Sequence, residues 1–295
     1  MLALAAGAAP ASACLRVGIY ANDPVGSLAT LRHSVGHGVT ELSTYLTAGH
    51  PLAPSWVSTA NRDRVGLMVS WQPDSGRDGA SAPHYRLVDV AQGRYDASLR
   101  ALVKQLAQVR GGAVLRPMPE MNTPWYAWSG IVNGNTPAEY VKAWKRVRRA
   151  VRSAPGGSKI RLLWAPYAQN IPSTGRNQIG DYFPGASQVD LVGTSGYNFG
   201  NSGQLTWTAP QTLFATAYAT IESIAAKPFW LAETGSTASG GSKAAWIGQL
   251  AALRAAMPRL SGLFWYDVRD ATGNFTLRGT QVSSTFRALL REACR

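Results

Sequence analysis

The sequence predicts a single-domain α/β protein, a (β/α)8 TIM barrel occupying residues 14–295. Three observations predict it. Short apolar runs alternate with helix-like segments or long loops from one end of the chain to the other, and eight such runs can be counted. The runs are continuously apolar, as strands buried on both faces of a parallel sheet must be. The first run leads into Asp23-Pro24, without the Gly-rich phosphate loop expected of a doubly wound open sheet, the runner-up architecture. A chain of 295 residues, 45% hydrophobic and 15% charged, has material for one large core and no charged block that would favour disorder.

In chain order, Leu15–Tyr20 is the first predicted strand, followed by a short helix around Leu28–Ser34. Val39–Leu46 and Val65–Trp71 are the second and third strands. Arg94–Arg110 carries apolar residues at 95, 99, 102, 103, 106 and 109, a helical spacing. Ala113–Glu120 is the fourth strand, and Thr136-Pro137 opens a helix to about Arg152 with a capping residue and Pro at the first position. Ile160–Tyr167 and Val189–Asn198 are strands five and six, and Thr212–Ala225 is a helix. Pro228–Glu233, the helix Ser242–Ala256, Leu260–Val268 and a final helix Val282–Ala293 complete the pattern.

Barrel active sites are built at the C-terminal ends of the strands, so the last residues of each run are the candidates. Those positions read Tyr20 and Asp23, Tyr45, Trp71 and Gln72, Glu120 and Asn122, Trp164, Tyr167 and Asn170, Tyr197 and Asn198, Glu233, then Trp265 and Asp267, mostly aromatics and carboxylates. The site candidates among them are Asp23, Trp71, Glu120, Asn122, Trp164, Tyr197, Glu233 and Trp265. Glu120 and Glu233 end strands four and seven, across the barrel mouth from each other. Two strand-end carboxylates are the equipment of a retaining glycosidase, one a proton donor and the other a nucleophile. Glu120 is hedged by Met118, Pro119, Met121 and Trp125, apolar surroundings that raise a carboxyl pKa as a general acid requires. Glu233 is expected to stay ionised, with Tyr197 as its hydrogen-bond donor.

Several motifs carry a resemblance to glycoside hydrolase family 26, the β-mannanase family of barrel glycosidases. Gln92-Gly-Arg-Tyr-Asp96 resembles its Gly-Lys/Arg-Tyr-Asp segment. Arg116-Pro-Met-Pro-Glu-Met-Asn122, followed by Trp125-Tyr-Ala-Trp128, resembles its Arg-Pro-x-His-Glu-Met-Asn-x-x-Trp motif. Trp164-Ala-Pro-Tyr167, Asp181-Tyr-Phe-Pro-Gly185, Val189-Asp-Leu-Val-Gly193 with Gly196-Tyr-Asn198, and Lys227-Pro to Glu233-Thr-Gly235 follow in the family's order. The resemblance implies Glu120 as acid/base, Glu233 as nucleophile, Tyr197 as its partner, Trp125 and Trp265 as sugar-contacting aromatics, and Arg116 and Asn122 as orienting residues. Two positions depart from the pattern: Pro119 stands where the family has His, and Ser195 where it has Asp. Losing a polar donor beside the scissile bond puts mannan as the substrate in question.

The excess of 29 Lys+Arg over 16 Asp+Glu, +13, suits contact with a polyanion, an acidic polysaccharide among them. The cationic residues are scattered, however, and the one cluster, Lys142 to Arg149, falls on the solvated face of a predicted helix. No nucleic-acid-binding motif accompanies it. Residues 1–13 are Ala/Leu-rich and end in Ala11-Ser-Ala13, as at the end of a secretory signal, so a secreted or cell-wall-associated protein is expected. No apolar run is long enough to span a membrane. Cys14 and Cys294, near the two ends of a closed barrel, are expected to form a disulfide. His33, His37 and Glu41 have ligand-like spacing, but Gly36 and Gly38 disfavour the helix that would gather them, and no metal is assigned. Gly193-Thr-Ser-Gly196 is not a nucleophile elbow. The expectation is therefore a cofactor-free, monomeric, endo-acting glycoside hydrolase cleaving a β-linked polysaccharide by double displacement. The alternatives are a glycosidase or transglycosylase for an acidic or unusual bacterial polysaccharide, and a non-catalytic carbohydrate-binding barrel.

Overall fold

A computed structural model describes residues 14–20, 23–74 and 86–291. Eight parallel strands close into a barrel in sequence order: β1 (Arg16–Tyr20), β2 (Glu41–Thr47), β3 (Gly66–Gln72), β4 (Ala113–Pro117), β5 (Ile160–Trp164), β6 (Leu191–Asn198), β7 (Phe229–Ser236) and β8 (Leu260–Tyr266). The predicted (β/α)8 barrel is thus observed. Its seam is closed by β1 against β8, from Arg16 opposite Gly262 to Tyr20 opposite Tyr266. Helices α1 (Pro24–Val35), α2 (Pro54–Asp63), α3 (Leu87–Gln92), α4 (Asp96–Leu106), α5 (Pro137–Ser153), α6 (Pro210–Ile224), α7 (Lys243–Ala256) and α8 (Thr280–Leu290) surround it. The predicted Thr136 cap forms in full: its hydroxyl accepts from Glu139 N while the Glu139 side chain accepts from Thr136 N. Helices α2 and α3 were not expected from the sequence. Both are short, and α2 is a largely polar helix opened by Pro54. None of the described helices is long and apolar enough to cross a membrane. Residues 1–13 and Cys294 lie outside the described residues, and with them the proposed signal remnant and the Cys14–Cys294 pairing.

The core has two compartments. The larger lies between strands and helices and takes the outward strand residues, among them Leu67, Trp71, Leu115, Trp164, Leu263 and Trp265. The smaller is the plug inside the barrel, made of Met68, Val114, Leu163, Ala165, Leu191, Trp230, Ala232 and Phe264. Outside the bulge described below, alternation along the strands assigns residues to one compartment or the other. At the lower end of the barrel Glu41 is buried and paired with Arg16, and Arg161 lies over the Trp230 ring at 5.1 Å. The upper end opens into the site described next.

A bulge between β6 and β7 sets which residues of β7 point inward. The β6–β7 register shifts between Thr194 and Ser195, so that Ser195 faces Glu233 where an unbroken ladder would bring Ala232. Trp230 and Ala232 already face the barrel interior. The extra residue turns Glu233 inward as well and delivers its carboxylate to the mouth.

Candidate active site

Glu120 lies three residues beyond the end of β4, in a turn where Met118 (φ 48°) and Glu120 (φ 57°) take left-handed backbone conformations. Non-glycine residues adopt that region at a cost, and such strain persists only where surroundings over-determine it. Here three consecutive carbonyls are pinned: Met118 O by Tyr140 Oη at 3.2 Å, Pro119 O by Trp128 Nε1 at 2.8 Å, and Glu120 O by Thr123 Oγ1 at 2.8 Å. Glu120 N donates at 3.0 Å to Ala165 O, just past the end of the neighbouring strand β5. The carboxylate is fixed by its backbone before any side-chain partner is considered.

Arg116, on β4, is fully buried beneath the two carboxylates and touches both. It donates to Glu233 Oε2 at 2.8 Å and to Glu120 Oε1 at 3.3 Å. It also donates to Ser70 Oγ at 3.3 Å and to Ser195 Oγ. Ser195 therefore serves as one of the acceptors that hold the guanidinium. Tyr197 Oη donates to Glu233 Oε1, so both oxygens of that carboxylate are held. Burial and the Glu233 charge keep the Tyr197 phenol well above its ordinary value, so it remains a donor. The contacts of Glu120 are longer: Arg116 at 3.3 Å and the Tyr126 hydroxyl at 3.4 Å, with Ser195 also acting to lower its pKa. Burial pushes its carboxyl up to about 7; Arg116 opposes this and the Glu233 charge adds to it.

A cleft of about 500 Å³ opens over the pair, a size typical of small-molecule sites. It is lined by Tyr45, Gln72, Trp125, Tyr126, Tyr197, Phe199, Tyr266, Asp270, Thr272 and Phe275 together with both glutamates. On one side Tyr20 stacks on Tyr266 at 5.4 Å, and Tyr266 meets Tyr197 edge-on at 5.7 Å. On the other, Trp125 is 40% exposed and stands edge-on against Tyr167.

Glu120, Glu233, Arg116, Tyr197 and Trp125 are gathered as the sequence predicts, but five other candidates stand elsewhere. Trp71, Trp164 and Trp265 belong to the outer core; the Trp265 indole donates to Phe275 O at 2.8 Å and packs against Trp246 and Phe286. Their inward neighbours are other residues, Gln72 and Tyr266 among them. Asn122 is buried and holds the β5 loop, accepting from Tyr167 N at 2.8 Å and donating to Tyr167 O at 3.0 Å. Asp23 caps α1 by accepting from Gly26 N and lines a separate surface groove beside α8. The residues missed were Tyr126, Phe199, Tyr266, Asp270, Thr272 and Phe275. Tyr266 and Phe275 could have been found from strand parity and from the aromatic that follows β8, whereas Asp270 and Thr272 depend on a hairpin with no sequence signature of its own.

A closed parallel barrel with an unequal carboxylate pair at strands four and seven, in a cleft walled by aromatics, has the layout that barrel glycosidases use. The resemblance to family 26 is borne out: residues 90–219 match the model of Glycosyl hydrolase family 26, a segment that includes Glu120 and Tyr197 but ends before Glu233. Endoglucanase H of Acetivibrio thermocellus is 30% identical over 185 residues, covering 61% of this chain and 19% of that protein. A β-1,3-xylanase of an Alcaligenes species is 26% identical over 146 residues, 49% of this chain and 29% of that protein. The matched regions thus span less than a third of the length of these two relatives. Among solved structures, the catalytic domain of a Bacillus sp. JAMB-750 endo-β-1,4-mannanase superposes with a TM-score of 0.67 at 16% identity, covering 94% of this chain and 86% of that one. At that identity the likeness concerns the fold.

Proposed function

We propose that this protein is an exported, monomeric, endo-acting O-glycosyl hydrolase that cleaves a β-linked polysaccharide with retention of anomeric configuration. The observation that carries the reading is the Arg116-bridged carboxylate pair, whose members have unequal surroundings. Glu120, with its raised pKa, gives its proton to the glycosidic oxygen as the bond breaks. Glu233, oriented by Arg116 and Tyr197, attacks the anomeric carbon and forms a glycosyl ester. Glu120, now ionised, then takes a proton from the incoming water, whose oxygen displaces Glu233 and restores the starting state. The family match, the aromatic cleft walls and the relatives' names, an endoglucanase and a xylanase, support the reaction class and leave the sugar open.

The test is a screen of mannan, β-glucan and xylan by reducing-end release, followed by Glu120→Gln and Glu233→Gln on the polymer that is cut. Each variant is expected to lose several orders of magnitude in turnover while keeping its thermal transition. A 2-deoxy-2-fluoro glycoside should add one sugar mass at Glu233. Near-normal turnover in either variant would overturn the assignment, and no labelling would favour the non-catalytic binding barrel.

A further inference from the structure

Among the described residues, the charged side chains lining the cleft are of one sign. They are Glu120, Glu233 and Asp270; Arg116 lies beneath them, fully buried and engaged by both glutamates. The excess positive charge of the chain lies elsewhere, in part on the exposed Lys142, Lys145 and Arg149 of α5. Among the described residues that line this cleft, a polymer of uronic acids would meet carboxylates and no exposed cation.

Asp270 is a placed residue. It sits in a small antiparallel ladder after β8, β9 (Arg269–Asp270) with β10 (Gly273–Asn274). One carboxylate oxygen, Oδ1, accepts from Thr272 N at 2.8 Å, Thr272 Oγ1 at 2.6 Å and Gly273 N at 3.2 Å. The other, Oδ2, accepts only from Tyr266 Oη among the described residues, at 3.0 Å, which leaves it acceptor capacity on the cleft side. The segment behind the hairpin is held by the scaffold. Lys243 Nζ donates to Asn274 O at 2.7 Å and Thr276 O at 2.9 Å, and Trp265 Nε1 fixes Phe275 O. Its partner Tyr266 is in edge contact with Tyr197, which holds Glu233. A carboxylate is thereby presented on a rigid support in the same cleft as Glu233.

We propose that Asp270 determines specificity: it accepts a hydrogen bond from a hydroxyl of a neutral sugar and repels a carboxylated one, so that the substrate is a neutral β-glycan. The proposal rests on the glycosidase reading for its substrate, but not for its test. It runs against the acidic-polymer alternative that the net charge suggested. A hydroxyl that pairs with a fixed acceptor is strongly selected, and like charges brought together penalise the wrong ligand. Because Asp270 is exposed, the repulsion is screened, and about a fivefold effect at low ionic strength is expected.

The experiment uses the intact chain and two readouts, hydrolysis and calorimetric binding. The probes are mannopentaose, cellopentaose, xylopentaose and a xylo-oligosaccharide carrying one 4-O-methylglucuronic acid. Wild type should bind a neutral probe more tightly than the uronate. Asp270→Asn should raise the uronate-to-neutral affinity ratio about fivefold in low salt and less at high salt, while Asp270→Glu should stay near wild type. An unchanged ratio in Asp270→Asn, or a wild type that prefers the uronate, would overturn the proposal. Hydrolysis with an unchanged ratio would sink Asp270 alone. Selective binding without hydrolysis would sink the glycosidase reading alone, and no binding of any probe would sink both.

Discussion

Replacing Arg116 with Met tests the electrostatic design of the site most directly. The guanidinium lies 2.8 Å from Glu233 and 3.3 Å from Glu120, with no exposed surface of its own. At an effective dielectric of about 20, each contact corresponds to roughly 5–6 kcal/mol of Coulomb attraction, much of it offset by the cost of burying the charges. Removing one partner of such a cluster typically costs about 3–5 kcal/mol, because the remaining carboxylates are left buried together. They respond by holding a proton more tightly. A general acid works while protonated, so activity falls as pH rises through its pKa, which is about 7 for Glu120 with Arg116 present. In Arg116→Met the alkaline limb of kcat/KM should therefore move up by at least about one pH unit. That limb belongs to the coupled pair, not to Glu120 alone. At the pH optimum kcat should drop by roughly a hundredfold, because Glu233 loses an aligned donor, and Tm should fall by about 10 °C. Arg116→Lys keeps the charge without the fork, so it should retain the wild-type limb while losing part of kcat. A pH profile with an unmoved alkaline limb, alongside a lowered Tm, would refute the argument that Arg116 sets the ionisation of the pair.

Three further predictions concern residues outside that cluster. Burial raises the Glu41 carboxyl from 4.5 to about 7, opposed by Arg16 and Arg161. The associated stability is fully present below about pH 4.5 and is lost as pH rises through 7, up to about 3 kcal/mol. Thermal scans at acid and alkaline pH should show Glu41→Gln with a flatter dependence than wild type, and parallel curves would refute the linkage. Trp125→Ala should raise KM by about tenfold with kcat nearly kept, because Trp125 offers an exposed ring to the cleft. Trp265→Phe should leave KM alone and lower stability by about 1–3 kcal/mol, because it strands the buried Phe275 carbonyl. If Trp265→Phe changed KM as Trp125→Ala does, the assignment of Trp265 to the outer core would be wrong.

The barrel was legible in the sequence because parallel strands packed on both faces are long apolar runs that little else mimics. That same continuity hid which face each residue takes. Phe264, Trp265 and Tyr266 are all large and aromatic, so no hydrophobic alternation shows that Phe264 plugs the barrel, Trp265 packs under the helices and Tyr266 reaches the cleft. A slip of one residue moves a side chain to the opposite face, and Trp71, Trp164 and Trp265 were misplaced in this way. Glu120 and Glu233 were placed correctly for reasons that simple alternation does not contain. One lies past its strand in a left-handed turn, and the other faces inward because of a bulge.

Pro119 illustrates how the importance of a position changes once its surroundings are known. In the sequence it is the conspicuous departure, a proline where a polar ring is expected beside the acid/base. In the structure it is buried, does not line the cleft, and gives its carbonyl to Trp128 within the turn that fixes Glu120. Proline restricts the chain between two residues already in strained conformations, which favours the turn by lowering the entropy of the unfolded state. Position 119 thus contributes to holding Glu120, while Tyr126, Gln72 and the Asp270 hairpin supply polar side chains that do face the cleft. The choice of sugar should then follow substitutions at these positions more closely than the proline itself.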